Sequence, residues 1–511
     1  MKRKFSRRGS AESSFTPSAT GSRNFDHSEG AVRLESLLPG ARFVGCDDIV
    51  VRRITDDPDA CRRGDVFVAV AGDDGDGHDR AARALRRGAA GVVAERMIPT
   101  FGTPLCLVPD ARHALARIAQ ALHGDPATHL RVIAITGTAG KTTSAWLTAS
   151  VLAEGGLSVG VLSDLGCLDG DGGAPADSDW RSPLALAGWL GRCVATGCSH
   201  VIVEVTSAML AAEALAGVPC ETVVVTNLGR AHLDRHGSAR AYRAIMGRIV
   251  DALDERGGLV VDLDDPHAAR LAARRGGGRV VPVGLWRQGA LGAVPLERGL
   301  DGQTFLLRHA GDSAVVSVAT PVASYVRASL AAAAVGLRAG LPLAVVARGL
   351  EAAGAIPGRL DRICRGQDAH LFADCPSSGR ALATTLAGLR RLTRGRLCLM
   401  VEEPALPRFG DPRRFHERAA RWCDECLTVP ADVLDAEAGT RPLAAYARID
   451  RLLAGLGKGD CVLIVGRPAP GGGDPGDPDP GEPRMPLAVL VDAWMQLAHP
   501  AAAPFPGRRA A

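Results

Sequence analysis

Short apolar runs rich in Val and Ile recur along this chain, separated by longer stretches of helical character. That alternation predicts strands interleaved with helices, and so an α/β fold. Strands are expected at 65–70, 91–94 and 105–108, with helices over 80–87 and 111–122. Between 129 and 354, apolar runs at 132–135, 201–205, 222–227, 259–262 and 280–283 argue for a doubly wound, largely parallel sheet. Runs at 370–373, 397–401 and 461–465 read as a third α/β unit, closed by a helix over 486–497. The expected organisation is a basic disordered tail over 1–30, then α/β domains over 31–128, 129–354 and 355–500, and a short tail over 501–511. A Gly/Asp/Pro-rich stretch, 471–483, is expected to be a flexible loop within the third domain.

The run at 132–135 leads into Gly137, Thr138, Ala139, Gly140, Lys141, Thr142 and Thr143, followed by a helical segment over 144–154. Strand, glycine turn and helix N-terminus together make a phosphate cradle. Its glycines admit an anion close to the backbone, and the helix end offers unpaired N–H groups. Lys141 would reach the β- and γ-phosphates, and a Thr hydroxyl would hold Mg²⁺. The usual first glycine of such a loop is Ile135 here, so the loop is a shortened variant. The competing reading is an ordinary strand-to-helix turn. Composition weighs against it: of 60 Lys and Arg residues only Lys2, Lys4, Lys141 and Lys458 are lysine. A chain so biased to arginine still places a compact ammonium in this turn.

A net charge of +4 over 511 residues leaves no nucleic-acid footprint, and 4% aromatics gives little base-stacking surface. No apolar run of about 18 or more residues predicts a membrane span. The start is basic without the apolar segment of a signal peptide. The 13 scattered cysteines suit reduced thiols and a cytoplasmic location, and the lone pair Cys423 and Cys426 reads as structural.

Glu204 interrupts an otherwise apolar strand, which is costly unless the carboxylate is paired or metal-bound. A salt-bridged strand end is the plainer alternative. His232 and Asp234 follow the run at 222–227. Beside a phosphate turn, Thr142, Glu204 and His232 become candidate Mg²⁺ ligands.

In their order and spacing, Gly137 to Thr143, Glu204 to Ser207, and Thr226 to Asp234 with His236 and Gly237 resemble the Mur ligase family. The likeness is strongest to the branch that makes UDP-N-acetylmuramyl-tripeptide, and extends to Gly64–Ala69 and Gly358–Asp361. The resemblance implies a three-domain architecture and ATP- and Mg²⁺-dependent joining of a carboxylate to an amine through an acyl phosphate. It implies a UDP-muramyl-peptide-like acceptor, an amino acid or other amine as partner, and a monomeric enzyme. Carried over by position, Lys141, Glu204 and His232 form the catalytic set. The phosphate turn, Asn227, Arg359 and Asp374 would hold the nucleotide.

The chain also departs from that pattern. A family lysine, used as a carbamate, appears as Met246, and two asparagines appear as Tyr325 and Ala328. A Thr-Thr-Pro substrate motif appears as Arg181, Ser182 and Pro183, and a Ser-Arg pair as Asp57 and Pro58. The residues after Asp374 have changed, and no diaminopimelate signature is visible over 428–437. Three readings follow: a muramyl-peptide ligase with altered substrates, a nucleotide-binding scaffold that has lost ligase activity, or a ligase for a different acid.

Overall fold

The computed structural model describes residues 30–72, 75–174, 180–275, 279–287, 289–431, 433, 443–466 and 487–498. The N-terminal tail over 1–29, the insert over 471–483 and the tail over 501–511 fall outside them.

Three larger sheets follow one another along the chain. The first orders Arg42–Val44, Leu105–Leu107, Gly91–Ala94, Val66–Val68 and Ile54–Thr55 side by side. Its helix Gly77–Arg86 starts earlier than expected because the Asp76 carboxylate accepts from the His78 N–H and caps the first turn. The last sheet runs Arg359–Ile363, His370–Asp374, Cys461–Val465, Leu397–Glu402, Glu425–Val429, with only its first pair antiparallel.

The central sheet has 11 strands. Its parallel middle places Val159–Ser163, His200–Val205, Arg131–Thr136, Cys220–Val225 and Leu253–Asp262 in that spatial order. Strand Arg131–Thr136 therefore lies between two others, buried on both faces, which explains its unbroken apolar run. Ile133 and Ile135 point into one layer with Leu147 and Val151; Val132 and Ala134 point into the other with Trp189, Tyr242 and Met246. The period-2 alternation of a strand thus divides two hydrophobic cores. Antiparallel strands Leu291–Gly299, Gly302–His309 and Asp312–Val318 extend the sheet, a feature the apolar runs did not announce. These strands are buried only in part: Gly302–His309 alternates in burial, and Val294, Leu296 and Val315 of its neighbours are exposed.

Helix Lys141–Glu154 begins directly at the phosphate turn. It packs against Ala323–Arg338 and Leu343–Ala352 through small residues. A Cβ at Gly349 would stand 2.6 Å from the Val151 Cα, and the Ser150 hydroxyl donates to the Gly349 carbonyl at 2.7 Å. The close approach holds the helix, and hence the turn at its N-terminus, against the rest of the layer. Gly349→Ala should force these helices apart and destabilise the protein by about 1–3 kcal/mol, the usual scale of overpacking. Chemical denaturation will read this as a lower midpoint.

Candidate functional site

Everything predicted for the phosphate turn begins at the C-terminal end of strand Arg131–Thr136, the edge where parallel sheets bind ligands. Gly137 has φ 151°, and any Cβ there would collide with the Thr226 hydroxyl. Gly140, with φ 85°, reverses the chain into helix Lys141–Glu154. The neighbouring strand end clamps the turn. The Asn227 side chain accepts from the Ala139 N–H at 3.1 Å and donates to the Ala139 carbonyl at 2.8 Å. The Thr226 hydroxyl donates to the same carbonyl at 2.7 Å. Asn227 therefore shapes the turn as well as lining the cavity beside it.

Lys141 folds back so that Nζ donates to the Gly137 carbonyl at 3.2 Å and stands 3.7 Å from Glu204 Oε1. The Thr142 hydroxyl donates to Glu204 Oε2 at 2.8 Å. Glu204 is fully buried, and its Oε1 has no hydrogen-bond partner among the described residues. Burial pushes this carboxyl up to about 7, and the charge of Asp164 adds to the rise. Lys141, Arg359 and the Thr142 hydroxyl oppose it. A buried carboxylate oxygen without a donor, beside a hydroxyl and an ammonium, fits a hard divalent cation with oxygen ligands.

The third domain reaches over the turn. Arg359 donates to the Thr142 hydroxyl at 3.0 Å and to the Cys375 carbonyl at 3.0 Å. The Ser377 hydroxyl donates to the Thr138 carbonyl at 3.3 Å. Asp374 is buried, accepts from Thr385, and is pushed up to about 6, chiefly by burial. These contacts enclose a cavity of about 310 Å³. Its lining includes residues 138–143 of the phosphate turn, Asp262, Tyr325 and Ala328, and Arg359 and Asp374.

Two further expectations meet the structure differently. His232 does not line this cavity. It sits in the left-handed region with φ 48°, its ring 6.3 Å from that of Tyr242, and its pKa is lowered by burial and then by the Lys141 charge. Among the described residues no three His, Cys, Asp or Glu side chains gather as a metal cluster. Met246 is buried in the apolar layer, its sulfur 3.9 Å from the Thr136 hydroxyl, while the Tyr242 hydroxyl lies 3.2 Å from that of Thr138. Arg248, close by in sequence, pairs with Glu213.

Several charged residues of the site were not singled out from the sequence, among them Asp164, Asp264 and Arg327. Asp164 follows strand Val159–Ser163, lines the cavity and pairs with Arg181 at 2.8 Å. Arg327, also in the lining, stands 3.6 Å from Asp264 and 3.9 Å from Asp262. The only signal was position: each aspartate lies at or just past the C-terminal end of a central strand.

Residues 135–336 match the family described as Mur ligase middle domain. A UDP-N-acetylmuramoyl-L-alanyl-D-glutamate–2,6-diaminopimelate ligase from Chlorobaculum tepidum is 32% identical over 354 residues, covering 67% of this chain and 70% of that protein. A UDP-N-acetylmuramyl-tripeptide synthetase from Roseiflexus is 31% identical over 401 residues, covering 74% and 77%. The solved structure of another 2,6-diaminopimelate ligase overlays with a TM-score of 0.66 at 20% identity, across 92% of this chain and 99% of its own. MurF ligase from Thermotoga maritima in complex with ADP overlays at 0.55 and 20% identity, covering 82% and 94%.

Glu204 also makes stability depend on pH. Its folded pKa lies above the usual carboxylate value, so its contribution is complete at low pH and is lost as pH rises towards about 7. The ligand-free protein should therefore lose roughly 1–3 kcal/mol between about pH 5 and pH 8 relative to Glu204→Gln, which cannot ionise. Denaturant unfolding of both proteins across that range measures the difference.

Proposed function

The chain belongs to the Mur ligase family, ATP-dependent enzymes that form amide bonds between an acid and an amino acid, and we propose how its residues carry out that reaction. The acceptor would be a UDP-muramyl-peptide-like carboxylate and the partner an amino acid or other amine, with cytoplasmic reaction by a monomer. The domain over 31–128 would hold the acceptor, that over 129–354 ATP, and that over 355–500 would close on both.

The observation that carries this reading is the Lys141–Thr142–Glu204 cluster, with Arg359 of the last domain bonded into it. ATP would lie with its phosphates on the turn 137–143. Lys141 and Arg359 would stand against the γ-phosphoryl group and compensate the charge that spreads over its oxygens during transfer. Thr142 and Glu204, with His232 as a further candidate, would hold Mg²⁺, which when bound draws charge from the phosphate oxygens. The acceptor carboxylate takes the γ-phosphoryl group and ADP leaves. The amine then attacks the acyl carbon, phosphate departs, and the amine proton is lost to water or base. The protein's share is alignment and exclusion of water: the 310 Å³ cavity is roofed by Arg359, Cys375 and Ser377.

Substrate identity has moved away from that of the relatives on this reading. Arg181 stands where a Thr is expected, and Asp57 and Pro58 replace a Ser-Arg pair. The scaffold alternative has Met246 as its motive and no support among the relatives, which are ligases. If Met246 stands where the family carries its lysine, the carbamate is lost, because a thioether buried in an apolar layer cannot carry one.

Phosphate release from ATP, measured across UDP-muramyl-peptide acceptors and amino acids, tests the reading directly. Turnover that requires both an acceptor and an amine is expected. Lys141→Ala should weaken ATP–Mg²⁺ binding by about 1–3 kcal/mol, the scale of a charge-assisted contact. Equal calorimetric affinity in the two proteins would show that the turn does not hold phosphate.

A further inference from the structure

Arg380 lines the cavity, and among the described residues its guanidinium has neither a hydrogen-bond acceptor nor an ion-pair partner. The other cations of the lining are engaged. Lys141 stands against Glu204, Arg359 donates to Thr142, and Arg327 faces Asp264. Asp265 also lines the cavity, but it caps the helix Pro266–Arg275, where one of its oxygens accepts from the His267 and Ala268 N–H groups at 3.0 and 2.8 Å.

Several contacts fix where this guanidinium stands. The Ser378 hydroxyl caps the helix Gly379–Arg390 by accepting from the Ala381 N–H at 3.3 Å, which sets Arg380 in the first turn. The preceding Ser377 hydroxyl donates to the Thr138 carbonyl at 3.3 Å and holds that end of the helix against the phosphate turn. The Thr138 hydroxyl in turn accepts from the Gly229 N–H at 2.8 Å, so the loop after strand Cys220–Val225 is tied to the same place. A Cβ built on Gly229 would lie 3.4 Å from Arg380 Nη1 and 3.5 Å from the Thr138 side chain. The guanidinium therefore stands beside the phosphate turn. Arg380 is exposed, so its donors are open to whatever enters the cavity.

A planar guanidinium offers several N–H donors in a fixed fork, which matches the oxygens of a phosphate. The element nearest to it is the turn whose glycines and helix end suit that same anion. The two third-domain arginines of the lining differ in one respect. Arg359 is already bonded to the Thr142 hydroxyl and the Cys375 carbonyl without a ligand, whereas Arg380 keeps its donors free.

We propose that Arg380 binds the phosphate chain of the nucleotide, supplied from the third domain to the turn of the second. The assignment rests on the reading of residues 137–143 given above and adds one residue to it. It also makes docking of the helix Gly379–Arg390 a response to phosphate. Ser377 holds that helix to the turn by one hydroxyl contact, and an anion shared by Arg380 and the turn supplies another.

Calorimetric titration of the full chain with ATP–Mg²⁺, ADP–Mg²⁺ and adenosine tests this without turnover. Arg380→Ala should weaken ATP–Mg²⁺ at least ~10-fold, the scale of one charge-assisted contact, and leave adenosine unchanged. ADP–Mg²⁺ should weaken as much if the contact is to the α- or β-phosphate, and not at all if it is to the γ-phosphate. Arg380→Lys should recover part of the affinity, since it keeps the charge and loses the fork. Equal ATP–Mg²⁺ affinity in wild type and Arg380→Ala, with affinity lost in Lys141→Ala, would overturn the assignment and leave the ligase reading intact. Equal affinity in Lys141→Ala as well would overturn both. Equal losses for ATP and adenosine would make the effect structural and remove Arg380 from the phosphate. Unchanged nucleotide affinity with a raised KM for the acceptor would place Arg380 on the acceptor carboxylate and overturn the assignment likewise.

Discussion

A carboxylate buried at the end of a central strand is the constraint around which this molecule is built. Glu204 has no exposure, and one of its oxygens has no hydrogen-bond partner among the described residues, so its cost must be met locally. Lys141, the Thr142 hydroxyl and Arg359 are the groups that meet it. They come from two parts of the chain more than 200 residues apart, Thr142 and Arg359 being separated by 217 positions. The electrostatic demand of one side chain thus ties the third domain to the phosphate turn of the second. Buried ionisable groups that converge on one cavity are also the pattern of a site prepared to receive charged ligands.

The turn itself is held from the side more than from within. Thr226 and Asn227 end the neighbouring strand and take up both the Ala139 N–H and its carbonyl. Backbone groups that could face an anion are partly committed to this clamp, which fixes the loop at the expense of adaptability. Beneath it, Tyr242 and Met246 fill the space with apolar packing. Charge at the site therefore comes from other elements, among them the Asp164–Arg181 pair just past strand Val159–Ser163.

Much of the architecture was legible in the residues. Short continuous apolar runs rich in β-branched residues suit strands buried on both faces, and the strands at 131–136, 200–205 and 220–225 lie side by side accordingly. Gly137 and Gly140 announced a turn that only glycine can make, and both have the required positive φ. The strands between 291 and 318 were less visible because they bury one face only, and half of their residues are those of any surface.

Sequence by itself determined the local chemistry: a lysine and a threonine at a helix N-terminus, and an acid in an apolar strand. Those follow from residue type and nearest neighbours, which short-range rules of geometry and solvation govern. Only the tertiary structure decided which of these groups meet. Asp164 is ordinary in the chain and becomes part of the site because its strand pairs with the one that carries Glu204. His232 is conspicuous in the chain, yet it stands beside Tyr242 and outside the cavity lining. Coulomb forces depend on distance through space, and that distance is set by strand order and domain closure, neither of which is written in any local stretch of residues.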